Sequence, residues 1–258
     1  MGGDTLSRSF QPVKSADRVL EILEMFADAP RQLSLGEISQ RLQIPKSSLH
    51  GLLRTMQARH WVESDITGTR FGLGVRSLTT GASYVETDPA AVRAQPVLNR
   101  LAGALGETVH LGRLEGPNVV YLAKQESAHP LRMFSSIGRH LPAHSTALGK
   151  AVLARLPWDE VDALLPDPLP ALTRHTIVDR AALQDDLEET RQRGYAAERE
   201  ENSDGIRCVA VCLDNQNPRD AISFSIPMLR LTEEMEQQAI MLLKQAPLEL
   251  RSGGAAAF

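Results

Sequence analysis

The sequence predicts an α+β protein with a winged helix-turn-helix in front, a helical linker, and an antiparallel sheet with flanking helices behind. Three observations carry that expectation. Between residues 33 and 73, two short amphipathic helices stand close together and lead into a ribbon with a polar tip. From residue 108 onward, segments alternating with period two are separated by hairpin-length turns and helical stretches. The chain has 258 residues, 42% apolar and 23% charged, enough for two globular cores. The expected boundaries are 13–75 for the front domain, 76–88 for the linker and 89–250 for the rear domain.

Residues 1–12 are polar and aperiodic and read as a disordered lead. Residues 13–26 form an amphipathic helix with Val19, Leu20, Leu23 and Phe26 turned inward. Ser34 with Glu37 has the form of a capping box, so the next helix starts at Leu35 and directs Leu35, Ile38 and Leu42 to a core. A further helix opens at Pro45, whose missing N–H is harmless at a first helical position. It buries Leu49, Leu52, Leu53 and Met56 and leaves Lys46, Ser47, Ser48, His50 and Arg54 outside. Residues 61–63 then pair with 70–73 across a polar turn at 65–69.

The outward residues suggest a duplex reader. A helix entering the major groove presents its N-terminal residues to base edges and its positive end to phosphates. Ser47 and Ser48 are short donors suited to that crowded place, Lys46 and His50 reach bases, and Arg54 suits a phosphate. The wing would set Thr69 and Arg70 against backbone or minor groove, and Arg18 on the first helix is a further phosphate candidate.

Residues 76–86 are weakly helical. Asp88 is a fitting N-cap and Pro89 a fitting first residue for a helix that carries Val92, Val97, Leu98, Leu101 and Leu105 and stops at Gly106. Strands follow at 108–114 and 119–126, with a third expected at 131–135. Residues 138–153 run from a loop into a helix near Thr146. Helices at 159–165 and 180–193, strands at 195–198, 206–213 and 221–226, a last helix from Thr232 to about Leu250 and a frayed tail complete the chain.

Net charge is −4, unevenly spread: residues 1–80 hold ten Lys and Arg against eight Asp and Glu, the remainder eighteen against twenty-four. A slightly basic front and an acidic rear suit a domain on nucleic acid attached to one that stays off it. No apolar run has the roughly 18–20 residues of a membrane span, and no secretory signal is present. Cys208 and Cys212 lie on one face of a strand, too far apart to bridge, so a cytoplasmic protein without disulfides is expected.

In the rear domain, Val209, Val211 and Leu213 share a core face, while Cys208, Ala210 and Cys212 form a smaller face fit to wall a pocket. Ser223 and Ser225 point one way and Phe224 the other; the serines are satisfied either by backbone or by a ligand. A helix starting after Thr146 leaves the N–H groups of Ala147 and Leu148 open to an anion or carboxylate. Gly149-Lys150 is no phosphate loop, because the preceding glycine and the following Ser/Thr are missing. His144 with Ser145, or Cys208 with His144, lacks an orienting third group, so no catalytic residues are assigned. The histidines lack metal-ligand spacing, and neither a metal nor a cofactor is expected.

Across residues 13–250 the sequence resembles the IclR family of bacterial transcription regulators. The matching pieces are LSLGEISQRLQIPKSSLHGLLRTMQARHWV and TRFGLG in front, with GRHLPAHSTALGKAVLA, GYAAEREENSDGIRCVAVCL and AISFSIP behind. The resemblance implies a GAF/profilin-like effector domain, a homodimer formed through front domains and linker helices, and tetramers as dimers of dimers on operator DNA. It implies a repressor or activator that senses a small organic acid or aromatic carboxylate from a catabolic pathway. By that resemblance the effector's carboxylate would meet Ala147, Leu148, Cys208, Ser223 and Ser225, with Glu198 nearby and Met133, Leu141 and Ile206 as apolar wall. Ala147-Leu148 is bulkier than the Gly-Ala of some small-acid binders, so a longer or aromatic acid fits the resemblance at least as well as a glyoxylate- or pyruvate-sized one. The rival expectations are a hydrolase-like enzyme fused to a DNA-binding module and a DNA binder that takes no ligand.

Overall fold

The computed structural model describes residues 11–29, 31–132 and 135–252. Residues 1–10 of the expected lead, the tail at 253–258 and Met133 lie outside the described residues. The chain divides into two compact units, Met1–Tyr84 and Val85–Phe258.

In the first unit, α1 (Lys14–Asp28) buries Ile22 and Phe26, with Val19 and Leu23 packed at the edge. Leu20, expected inward, is 56% exposed, and Ile22 takes its place at 0%. The stripe 19-22-23-26 is the helical i, i+3, i+4, i+7 set, and Leu20 falls outside it. A two-residue strand β1 (Leu33–Ser34) precedes α2 (Leu35–Leu42), whose Ser34–Glu37 capping box is formed in both directions. Gln43 ends α2 in the left-handed region at φ 53°, turning the chain into α3 (Lys46–Ala58). Pro45 is the N-cap and not the first helical residue; its ψ of 137° is extended. Leu49, Leu53 and Met56 are buried, whereas Leu52 is only half-buried.

The wing consists of β2 (Val62–Ser64) and β3 (Arg70–Leu73), and β1 adds a third strand to the predicted two, in the order β1-β3-β2. Asp65 closes its tip: one carboxylate oxygen accepts from the backbone N–H of Thr69 and Arg70, the other from the Thr67 hydroxyl. After Gly74, whose added Cβ would lie 2.3 Å from the His60 carbonyl, α4 (Val75–Thr87) begins; none of its residues is buried.

In the second unit, Asp88 caps α5 (Pro89–Leu105) by accepting from the N–H of Ala90 and Ala91, and Gly106 ends it at φ 77°. The sheet then builds from β4 (Thr108–Glu115), β5 (Asn118–Gln125) and β6 (His140–Pro142). The expected third strand at 131–135 is therefore misplaced: Leu131 and Arg132 are irregular, and the strand that pairs with β5 is three residues long and ends in proline, too short to alternate. A single 3-10 turn, Ala143–Ser145, leads to α6 (Ala147–Leu153), followed by α7 (Trp158–Leu164) and α8 (Arg180–Arg193). Strands β7 (Ala196–Arg199), β8 (Ile206–Cys212) and β9 (Asp220–Pro227) and helix α9 (Glu233–Ser252) complete it.

The six strands run antiparallel in the order β6-β5-β4-β9-β8-β7. Side-chain alternation splits the core between the two faces. Val209, Val211, Ile222, Phe224 and Ile226 pack with α5 and α9. Ala196, Ala210, Cys212 and Ala221 pack with α6 and α8 on the other face. Among the described residues no helix is long and apolar enough to cross a membrane.

Candidate functional site

Two places gather the residues singled out by sequence, and they are opposite in kind. The first is the outer side of α3. Lys46, Ser47, Ser48, His50 and Arg54 are all exposed, and none has a hydrogen-bond or ion-pair partner among the described residues. Burial of Leu49, Leu53 and Met56 against the unit's core fixes that orientation. No side chain caps the first turn of α3, so its leading N–H groups face solvent beside Ser47 and Ser48. Arg18 is half-buried on α1. On the wing, Thr69 is exposed, with its hydroxyl 2.7 Å from that of Thr67. Arg70 is exposed but engaged: its guanidinium donates to the Gln32 carbonyl at 3.2 Å and lies 3.6 Å from Glu37.

The second place is a small cavity on the α6 side of the sheet. Ala147, Leu148, Glu198, Ile206, Cys208, Ser223 and Ser225 all line it, together with Tyr121, Thr146, Asn202 and Ser203. Leu141 is buried in the apolar cluster around α6 but does not border the space. Its floor follows from register. Glu198 pairs with Cys208 and Cys208 with Ser225, so three adjacent strands present a polar row across the sheet. Ala210 pairs with Ser223, and Ser223 with His110, in the next row.

These groups bond to one another. The Cys208 thiol donates to the Ser225 hydroxyl at 3.4 Å, and Ser225 lies 3.4 Å from His110 Nδ1. His110 Nε2 is 2.8 Å from the Ser135 hydroxyl, and its ring stacks on Tyr121 with centroids 4.4 Å apart. Glu198 accepts the N–H of Glu201 at 2.9 Å. Burial pushes the Cys208 thiol well up, lifts the Glu198 carboxyl to about 7, and lowers the His110 imidazole to about 3, helped by nearby Lys124. At neutral pH the thiol and ring are uncharged, and Glu198 stands near half-ionisation.

Around the row, α6 is held close. An added Cβ on Gly149 would come within 2.1 Å of the Ala143 carbonyl oxygen, so glycine lets the helix start lie against the preceding turn. Gly112 plays the same part for Leu148, whose Cδ1 would be 2.8 Å from a Cβ there. Lys150 is fully buried, with Nζ 2.7 and 2.6 Å from the Glu201 carboxylate and 3.0 Å from Asp186. It is a structural anchor for the 200–205 loop, in keeping with the absence of a phosphate-loop pattern. Burial raises Glu201, and Lys150 opposes that shift.

The cavity is nearly shut, with about 10 Å³ of free space, close to the least that admits one water. A roomier cleft of about 420 Å³ lies by Asp88, Arg93, Asn217 and Arg219. Its floor, Arg113, is already clasped by Asp88 at 2.6 Å and Asp220 at 2.7 Å, so the smaller space holds the distinctive chemistry.

Tyr121 and His110 were missed by sequence reasoning. Alternation along β5 places Tyr121 on the face of Val119, a usable signal; the role of His110 depends on cross-strand register, which one sequence does not display.

The chain matches the family model for the IclR helix-turn-helix domain over residues 15–65 and that for the bacterial transcriptional regulator IclR C-terminal region over residues 82–251. It is 35% identical over 218 residues to the HTH-type transcriptional regulator XynR of Escherichia coli K12, covering 84% of this chain and 86% of that one. It is 32% identical to the transcriptional repressor IclR of the same organism over 240 residues, covering 91% and 88%. Its fold is similar to that of an IclR homologue from Microbacterium hydrocarbonoxydans in complex with 4-hydroxybenzoate, with a TM-score of 0.75, 22% identity and coverage of 94% and 100%.

Proposed function

The chain belongs to the IclR family of bacterial transcriptional regulators, and on that premise we propose that a small organic acid or aromatic carboxylate, held in the cavity beside Cys208, sets its grip on operator DNA. It is a regulator and not an enzyme, as are the relatives it matches. The operator controls a catabolic operon that handles the acid or its precursor, and the protein acts in the cytoplasm.

The observation that carries this reading is the pairing of an outward α3 face without internal partners with a buried polar row capped by α6. Lys46, Ser47, Ser48 and His50 read bases, Arg54 and Arg18 hold phosphates, and Thr69 and Arg70 of the wing reach the backbone. Arg70 must first leave Glu37. The acid meets the N–H groups of Ala147 and Leu148, the Cys208 thiol and the hydroxyls of Ser223 and Ser225, with Leu148 and Ile206 as its apolar wall and Leu141 packed behind it. Any organic acid displaces more than the roughly 30 Å³ of one water, so the cavity opens to admit it. Residues 202–205, beyond the Glu201 anchor and with Gly205 at φ 74°, and the half-buried Ile206 form the side that yields.

The protein works as a homodimer that pairs into a tetramer. The support is α4, which buries no residue and leaves Val75 58% and Leu78 71% exposed. A ligand alters operator affinity only as far as it binds one arrangement of the assembly better than another. Thermal-shift measurements on the purified chain against a panel of carboxylic acids test the ligand claim. Stabilisation by an acid that also changes operator mobility supports it; no shift with any acid favours a DNA binder that takes no ligand.

A further inference from the structure

Among the described residues, an acid entering this cavity meets a carboxyl group and no cation. None of the eleven lining residues is Lys, Arg or His, and Glu198, 2% exposed, is the carboxylic acid among them. The groups that face it come from each surrounding element. From β8 there is the Cys208 thiol, and from β5 the Tyr121 phenol. From the loop after β7, Glu201 donates its N–H to Glu198. From α6 comes Lys150, a cation already shared between Glu201 and Asp186 of α8. From β9 and β4 come Ser223, Ser225 and the neutral ring of His110.

We propose that an acid is admitted to this cavity only together with one proton, held between its own carboxyl group and that of Glu198. Two ionised carboxylates in one dry space repel, and a single proton between them turns that repulsion into a charge-assisted hydrogen bond. The thiol and phenol, both raised by burial, and the imidazole, lowered by it, stay uncharged near neutrality. Glu198, lifted by burial to about 7, is the group able to take the proton from solvent. The inference rests on the effector reading above and adds the charge state in which the ligand is recognised. Above pH 7 the acid binds with uptake of about one proton, and its affinity falls about tenfold for each further pH unit.

Isothermal titration calorimetry of the full-length chain with pyruvate, benzoate and 4-hydroxybenzoate, each in phosphate and in Tris at pH 8, tests the proposal. The expected result is that an acid binds with a heat that differs between buffers by close to one proton taken up, and that Glu198→Gln binds the same acid without that difference. Equal heats in the two buffers, with binding intact, overturn the proton step and leave the effector reading standing. Failure of all three acids to bind overturns the effector reading and this inference with it. Should Glu198→Gln not fold, the unaltered protein decides: a dissociation constant level from pH 6.5 to 8.5 overturns the proposal, and tenfold weakening per unit above pH 7 supports it.

Discussion

The outer face of α3 and the cavity beneath α6 use similar side chains in opposite states. On α3, two serines, a lysine, a histidine and an arginine stand in solvent, their side chains without partners among the described residues, over a base of Leu49, Leu53 and Met56. In the cavity, two serines, a thiol, a carboxyl group and the nearby His110 bond to one another in about 10 Å³ of free space. The difference teaches where each site places its free-energy demands. A duplex reader is ready before it binds, because the backbone helix already aims its donors. On the proposed reading, the cavity has to give up internal hydrogen bonds and open, so its ligand must replace what it breaks.

The contrast is broken most forcefully at Lys150. Lys150→Ala leaves Glu201 and Asp186 buried without their cation and is expected to destabilise the second unit by about 3–5 kcal/mol, read by urea denaturation. A change below about 1 kcal/mol would mean that the network does not anchor the 200–205 loop.

Next in size is a pH effect at Glu198. Its folded value of about 7 exceeds the ordinary carboxylate value of 4.5, so the folded chain keeps a proton that the unfolded chain releases. Stability therefore falls as pH rises from about 4.5 to 7 and is level above, a loss of about 3 kcal/mol removed in Glu198→Gln. Melting temperatures of the two proteins should coincide near pH 4.5 and diverge by pH 8, the variant being the more stable.

On the reader side, Lys46→Ala is expected to lose about 1–3 kcal/mol of discrimination for operator over random duplex, whereas Arg54→Ala weakens both alike and lowers the salt slope by about one. Mobility shifts at two salt concentrations separate the two. If Lys46→Ala weakens operator and random DNA equally, Lys46 holds phosphate instead of a base. Smallest is Leu20→Ser, expected within about 0.5 kcal/mol of the parent, where Ile22→Ala costs about 2–5; equal losses would restore the inward placement of Leu20.

Much of this was legible in the chain. The capping box at Ser34, the glycine stop at Gly106, and alternation through Cys208 and Ser223 are local signals, and the structure carries each of them. What failed depended on partners distant in sequence. β1 is a strand only because Leu33 meets Phe71, and β6 only because Leu141 meets Val119. Leu20 and Ile22 are equally apolar, and helical phase against neighbours chooses between them. Seven of the nine proposed effector contacts come together around one space, Met133 lying outside the described residues and Leu141 behind the wall. That the space is almost closed, and that His110 backs Ser225, are facts of packing and register that no single strand encodes.

Gly112 carries a consequence for divergence. A methyl group there would collide with Val119 at 2.6 Å and with the tip of Leu148, which borders the cavity. The bare backbone at position 112 thus governs how far Leu148 can retreat. On the proposed reading, exchanging atoms between positions 112 and 148 would change the girth of the acid admitted and leave Cys208, Ser223 and Ser225 in place.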